Sequence, residues 1–91
     1  MVYFIMNKKK EAETRKIVIG GIYRHFKGDY YKVLTLGLDS ETMKEMVVYI
    51  SLYYKPEKET RVWIRPLEDF MGTKELEDGK IINRFDFISE K

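Results

Sequence analysis

Gly28-Asp29 divides two runs, residues 22–27 and 30–38, that are each rich in β-branched and aromatic side chains. Two such runs about a two-residue turn, in which glycine supplies the positive φ, form a β-hairpin. The pattern continues down the chain. Asp39-Ser40-Glu41-Thr42 are turn formers ahead of a second β-rich run over 45–54, and 55–60 is a polar loop around Pro56. Residues 61–65 form a short strand stopped by Pro66, and Asp78-Gly79 precedes a last strand over 81–88. Between those strands, Leu67 and Phe70 sit three residues apart, which suits one turn of 3₁₀ helix pinned to a core. Strands this short predict an all-β fold: a small, strongly bent barrel of five to six strands, with one short 3₁₀ turn before the last strand.

The 91 residues make one domain, expected over 20–91, behind an N-terminal basic arm over 1–19 that forms an extra strand or helix or is loosely held. A chain of this size buries somewhat over roughly 60% of its unfolded surface, enough for one modest core. Its isoelectric point of 8.8 belongs to the arm. Residues 1–19 carry five basic and two acidic groups, or +3, whereas 20–91 carry 12 basic and 13 acidic groups, or −1. Duplex binding usually needs a basic face on the folded part, so the charge balance argues against it. The arm's lysines, Lys8, Lys9 and Lys10, read as a solvated run beside Glu11 and Glu13.

Several chemistries are closed off. The chain has no cysteine, which removes disulfides, thiolate metal sites and a cysteine nucleophile. His25 is the one histidine, so a metal site would need its other ligands from carboxylates alone; a catalytic zinc site is not expected, nor is any metal or cofactor. No glycine-rich phosphate loop follows a strand. The apolar hexamer MVYFIM is too short to span a bilayer and precedes the lysines, the reverse of a secretory signal. A cytoplasmic protein without a membrane partner is the expectation.

Period-two alternation assigns the faces. In 45–54 the uniformly apolar set Met46, Val48, Ile50 and Leu52 is expected inward, and Val47, Tyr49, Ser51 and Tyr53 outward. In 61–66, Val62 and Ile64 are expected inward and Arg61, Trp63 and Arg65 outward; near the C-terminus, Phe85 and Phe87 go in and Arg84 and Asp86 out. On this reading Tyr23, His25, Tyr49, Tyr53, Trp63, Arg65 and Arg84 share an exposed surface of π faces and fixed cationic donors. Such a surface suits stacking a base, gripping an anion or caging a cation. The bland alternative is that the rings cover barrel edges while their tips stay wet. Ser40-Glu41-Thr42 lies between strand patterns and is expected to serve the turn, not to act as a nucleophile beside a base.

Taken together, GIYRHFKGDYYKVL, Ser40-Glu41-Thr42, VVYISLYY over 47–54, VWIRPLEDF over 62–70 and NRFDFI over 83–88 resemble a bacterial family of short proteins, domain-of-unknown-function family 1653. The resemblance covers about residues 20–88 and implies an SH3-like barrel without any established activity, substrate or cofactor. Its signature falls on Tyr23, Arg24, His25, Lys27, Gly28, Tyr30, Val48, Tyr49, Leu52, Tyr53, Trp63, Arg65, Pro66, Leu67, Phe70, Arg84 and Phe85. Family members often carry a histidine just before the Ser-Glu-Thr triplet. Asp39 stands there in this chain, which puts any mechanism needing a histidine pair in doubt. The function expected is a small non-catalytic binding module of unknown ligand, either an extended peptide, a single-stranded nucleic acid or a modified base. Self-association as a homodimer, with a structural or accessory role, is the alternative, and a small hydrolase with His25 as base comes third.

Overall fold

The structure, a computed structural model, describes residues 2–4, 16–53 and 61–91, with side chains from residue 17 onward in those spans. The expected lysine run over 8–10 and the polar loop over 55–60 lie outside the described residues. The elements are β1 (Val2–Phe4), β2 (Lys16–Val18), β3 (Ile22–His25), β4 (Tyr30–Leu38), β5 (Glu45–Ser51), β6 (Val62–Pro66), α1 (Leu67–Phe70), β7 (Thr73–Glu75), β8 (Ile81–Asn83) and β9 (Phe85–Ser89). A five-stranded antiparallel sheet, in the order β6-β5-β4-β3-β9, forms the body of a barrel-like all-β fold. Two hairpins, β1-β2 and β7-β8, accompany it.

The turns follow the residues expected to make them. Gly28 takes φ +114° between β3 and β4, and Gly79 takes φ +88° between β7 and β8. Asp39 Oδ1 accepts from the amides of Glu41 and Thr42 at 2.8 and 3.1 Å, and these two hydrogen bonds hold its carboxyl below the usual range. Thr42 Oγ1 accepts from the Lys44 amide. The Ser-Glu-Thr triplet is therefore turn scaffolding. The helical turn is present at Leu67–Phe70, but Met71 N–H reaches Leu67 O at 2.9 Å, an i→i+4 bond that makes it one turn of α-helix instead of 3₁₀. The strand expected over 81–88 is broken at Arg84, whose amide donates to Gly72 O and whose carbonyl accepts from Phe26 N–H.

The core is Ile17, Tyr23, Val33, Val47, Tyr49, Leu67, Phe70 and Phe85. Phe70 is its hub. It stacks on Phe85 with centroids 4.0 Å apart and meets Tyr23 and Tyr49 edge-on, each at 5.2 Å. Burying each of these side chains contributes roughly 1.5–3 kcal/mol. Ile17 lies in β2, so the core draws on the segment ahead of residue 20. Val18 N–H donates to the Tyr23 hydroxyl at 3.1 Å and ties β2 to β3.

The face assignment of β5 and β6 is the reverse of the sequence expectation. Val47 and Tyr49 are buried, and Val48 and Ile50 lie on the other, outer face, opposite Ile64 and Val62 of β6. Ile64 is 65% exposed and Val62 39%. The reason is chemical as much as steric. A tyrosine ring buries more apolar area than an aliphatic side chain, and Tyr49 brings a partner for its hydroxyl, because Arg65 Nε donates to it at 3.3 Å. Arg65 and Trp63 therefore sit on the core side of the sheet, at its β6 edge. A bulge between Val33 and Thr35 also switches the phase of β4, so that Val33 pairs with Tyr49 but Leu36 pairs with Val47. Phe85 is buried as expected, whereas Phe87 is 48% exposed and meets the core through an edge contact with Tyr23.

Candidate functional site

Register brings the inner ends of four strands together around the ring of Phe85. His25 on β3 is the direct partner of Phe85 on β9, and their rings meet edge-on at 4.9 Å. Tyr31 on β4 lies 5.9 Å from Phe85 and 5.3 Å from Tyr49 on β5. The Arg65 guanidinium from β6 stands over Phe85 at 5.9 Å. Arg84 precedes Phe85 in the chain, with its backbone clamped between Phe26 and Gly72.

The electrostatics of this cluster are one-sided. Burial, then the charges of Arg65, Lys27 and Arg84, lower the His25 imidazole from its ordinary value, and Asp29 alone raises it. Tyr31 is pushed above the usual phenol range, mainly by burial, with Asp29 and Tyr49 adding to the shift and Arg65 opposing it. His25 Nδ1 accepts from the Lys27 amide at 3.1 Å, so the neutral ring carries its proton on Nε2. Among the described residues the ion pair is Lys44–Glu68, away from this cluster; neither Arg65 nor Arg84 has a carboxylate partner there. Arg84 Nε is buried without a hydrogen-bond partner.

Of the seven residues picked out in the sequence, His25, Arg65 and Arg84 converge, with Tyr49 beneath Arg65. Trp63, 41% exposed, is the register partner of Tyr49 on the same face. Tyr23 is buried at 3% with its hydroxyl engaged, and belongs to the core. Tyr53 lies two residues beyond the end of β5, 63% exposed, with its amide on Ser51 Oγ. Tyr31, Lys27 and Phe85 join the cluster without having been singled out as site residues. The doublet Tyr30-Tyr31 after the Gly28 turn was the available signal, since Tyr31 pairs back onto Tyr23.

No group of three or more metal-ligating side chains occurs among the described residues, and none of their helices is long and apolar enough to cross a membrane. A family described as a protein of unknown function, DUF1653, matches residues 21–87. The chain belongs to the DUF1653 family. A crystal structure of a DUF1653 protein from Bordetella bronchiseptica is similar to it at 33% identity and a TM-score of 0.67, over 77% of this chain and 86% of that one. No curated protein matches the chain. Of the residues that carry the resemblance, Tyr23, Tyr49, Leu67, Phe70 and Phe85 are buried, His25, Arg65 and Arg84 are half-buried, and Arg24, Lys27, Tyr30, Leu52, Tyr53 and Trp63 are exposed.

Proposed function

We propose that this DUF1653 domain is a non-catalytic binding module whose ligand is anionic and seats against Arg65, Arg84 and His25 above the Phe85 ring. Arg84 carries the reading: its buried Nε has no partner among the described residues. A buried donor left unmade costs on the order of 1–3 kcal/mol, more when charged, out of a typical total stability of about 5–15 kcal/mol. Nε is closed to solvent as it stands, and an anion that draws the half-buried Arg84 side chain outward lets Nε pair and removes that cost on binding. Arg65 supports the reading because it is held in place by Tyr49 and Phe85 without a carboxylate to neutralise it. Charge-assisted bonds to such a prepositioned fork are about twice as strong as neutral ones.

The test is a pyrophosphate titration followed by NMR of the arginine Hε and His25 ring protons. Arg65, Arg84 and His25 signals should move together and saturate, and Arg84→Gln should abolish the response. Unmoved signals up to millimolar pyrophosphate would refute the site. A second reading, self-association, is supported by the outer face, where Ile64 and Val62 stay exposed beside Val48 and Ile50. Sedimentation velocity across a wide concentration range should then show a dimer; a constant monomer dismisses it.

A further inference from the structure

We infer that the anion is the phosphate of a nucleotide, free or as one unit of a single-stranded nucleic acid, with its base stacked on Trp63. This rests on the anion-binding reading above and adds the ring. Trp63 and Arg65 are two residues apart on β6 and share one face, which puts them roughly 6.6 Å apart along the strand. Strand β6 is the edge of its sheet, so that row is approachable from the side. The indole is 41% exposed, and no described ring lies against it. An inorganic anion or an acidic side chain uses the guanidinium groups and leaves the indole bare. A nucleotide uses both.

The donors also fit phosphate. Arg65 spends Nε on the Tyr49 hydroxyl, which leaves its two terminal nitrogens for a ligand. Arg84 brings a half-buried guanidinium from the break between β8 and β9, its Nε closed to solvent until the side chain shifts. His25 offers Nε2–H from β3, because its Nδ1 is occupied by the Lys27 amide. Donors arriving from three elements suit a group with three oxygens better than a two-oxygen carboxylate. The −1 balance of residues 20–91 disfavours a duplex-wide electrostatic grip. It leaves room for a few local phosphate contacts with stacking, which is how single strands are held.

Trp63 is the chain's one tryptophan, so indole fluorescence, excited to the red of tyrosine absorption, reports this site alone. Full-length protein is titrated with oligothymidylate, oligoadenylate, AMP, pyrophosphate and a glutamate-rich peptide, with the arginine and His25 NMR signals recorded in parallel. The expected result is quenching by the oligonucleotides or by AMP, shifts of the Arg65, Arg84 and His25 signals, and no quenching by pyrophosphate. Equal quenching by AMP marks a free nucleotide as the ligand; quenching by the oligonucleotides alone marks a strand. Trp63→Ala, at an exposed edge position, should weaken binding of a labelled oligonucleotide roughly 5- to 150-fold and leave the pyrophosphate shifts intact. Salt should weaken strand binding with a log–log slope of about −0.7 per phosphate held. Shifts with pyrophosphate or the peptide, without quenching by any nucleotide, would overturn the nucleotide and leave the anion site standing. No response to any of the five would overturn both.

Discussion

Val47 and Val48 are adjacent, identical in chemistry and placed on opposite faces of β5, which makes them a direct test of the inverted sheet. Threonine is nearly isosteric with valine and keeps the β-branch, so Val47→Thr and Val48→Thr change strand propensity equally. What differs is where the new hydroxyl goes. Val47 is fully buried against the aromatic core, and the hydroxyl there lacks water. Burying it costs about 1–3 kcal/mol on mutational scales. Val48 is half-buried on the outer face, opposite Ile64, where water can reach the hydroxyl, and the cost should stay under about 1 kcal/mol. In a domain of this length each kcal/mol moves Tm by about 4–8 °C, so a loss near 2 kcal/mol at Val47 lowers it by about 8–16 °C. Urea denaturation with unchanged m-values, alongside a thermal melt, measures both variants. If Val48→Thr costs as much as Val47→Thr or more, the aliphatic set faces the core and the site built on the inverted face falls with it.

Two further predictions follow from the same packing. Phe70→Ala removes the ring that stacks on Phe85 and meets Tyr23 and Tyr49, and should cost about 3–5 kcal/mol by urea denaturation; a loss under about 1 kcal/mol would show that Phe70 is not the hub. Because the folded imidazole of His25 binds its proton less readily than the unfolded one, its contribution to stability is complete above pH 6.5 and is lost as pH falls through the lower folded value. The stability of the wild type should drop over that interval and that of His25→Gln should drop less; parallel pH curves would dismiss the assignment.

The architecture was legible because turns announce themselves locally. Gly28 and Gly79 needed positive φ, Asp39 needed only its own next amides, and Leu67 with Phe70 needed only their spacing. The faces of β5 and β6 were not legible, because alternation reports two faces without saying which one meets the core. There the more aliphatic set lost to Val47 and Tyr49, for a reason that lies 16 residues further along: Arg65 makes the burial of the Tyr49 hydroxyl affordable. The extra residue in β4 hides a phase change that no period-two reading contains. Trp63 and Arg65 keep the same parity whichever way their strand faces, so they share a face in either assignment.

The same geometry separates a binding role for His25 from a catalytic one. A general base needs a free lone pair on the nitrogen that faces the substrate. The Lys27 amide donates to Nδ1, which leaves Nε2 as the protonated, donating nitrogen. Moving the proton to Nδ1 would set two donors against each other and break that bond. Protonating both nitrogens meets the same clash and the added opposition of burial, Arg65, Lys27 and Arg84. An arriving anion reverses the second obstacle, because a negative charge on the arginines favours the imidazolium. On the binding reading proposed above, His25 donates through Nε2 while Nδ1 stays on the Lys27 amide.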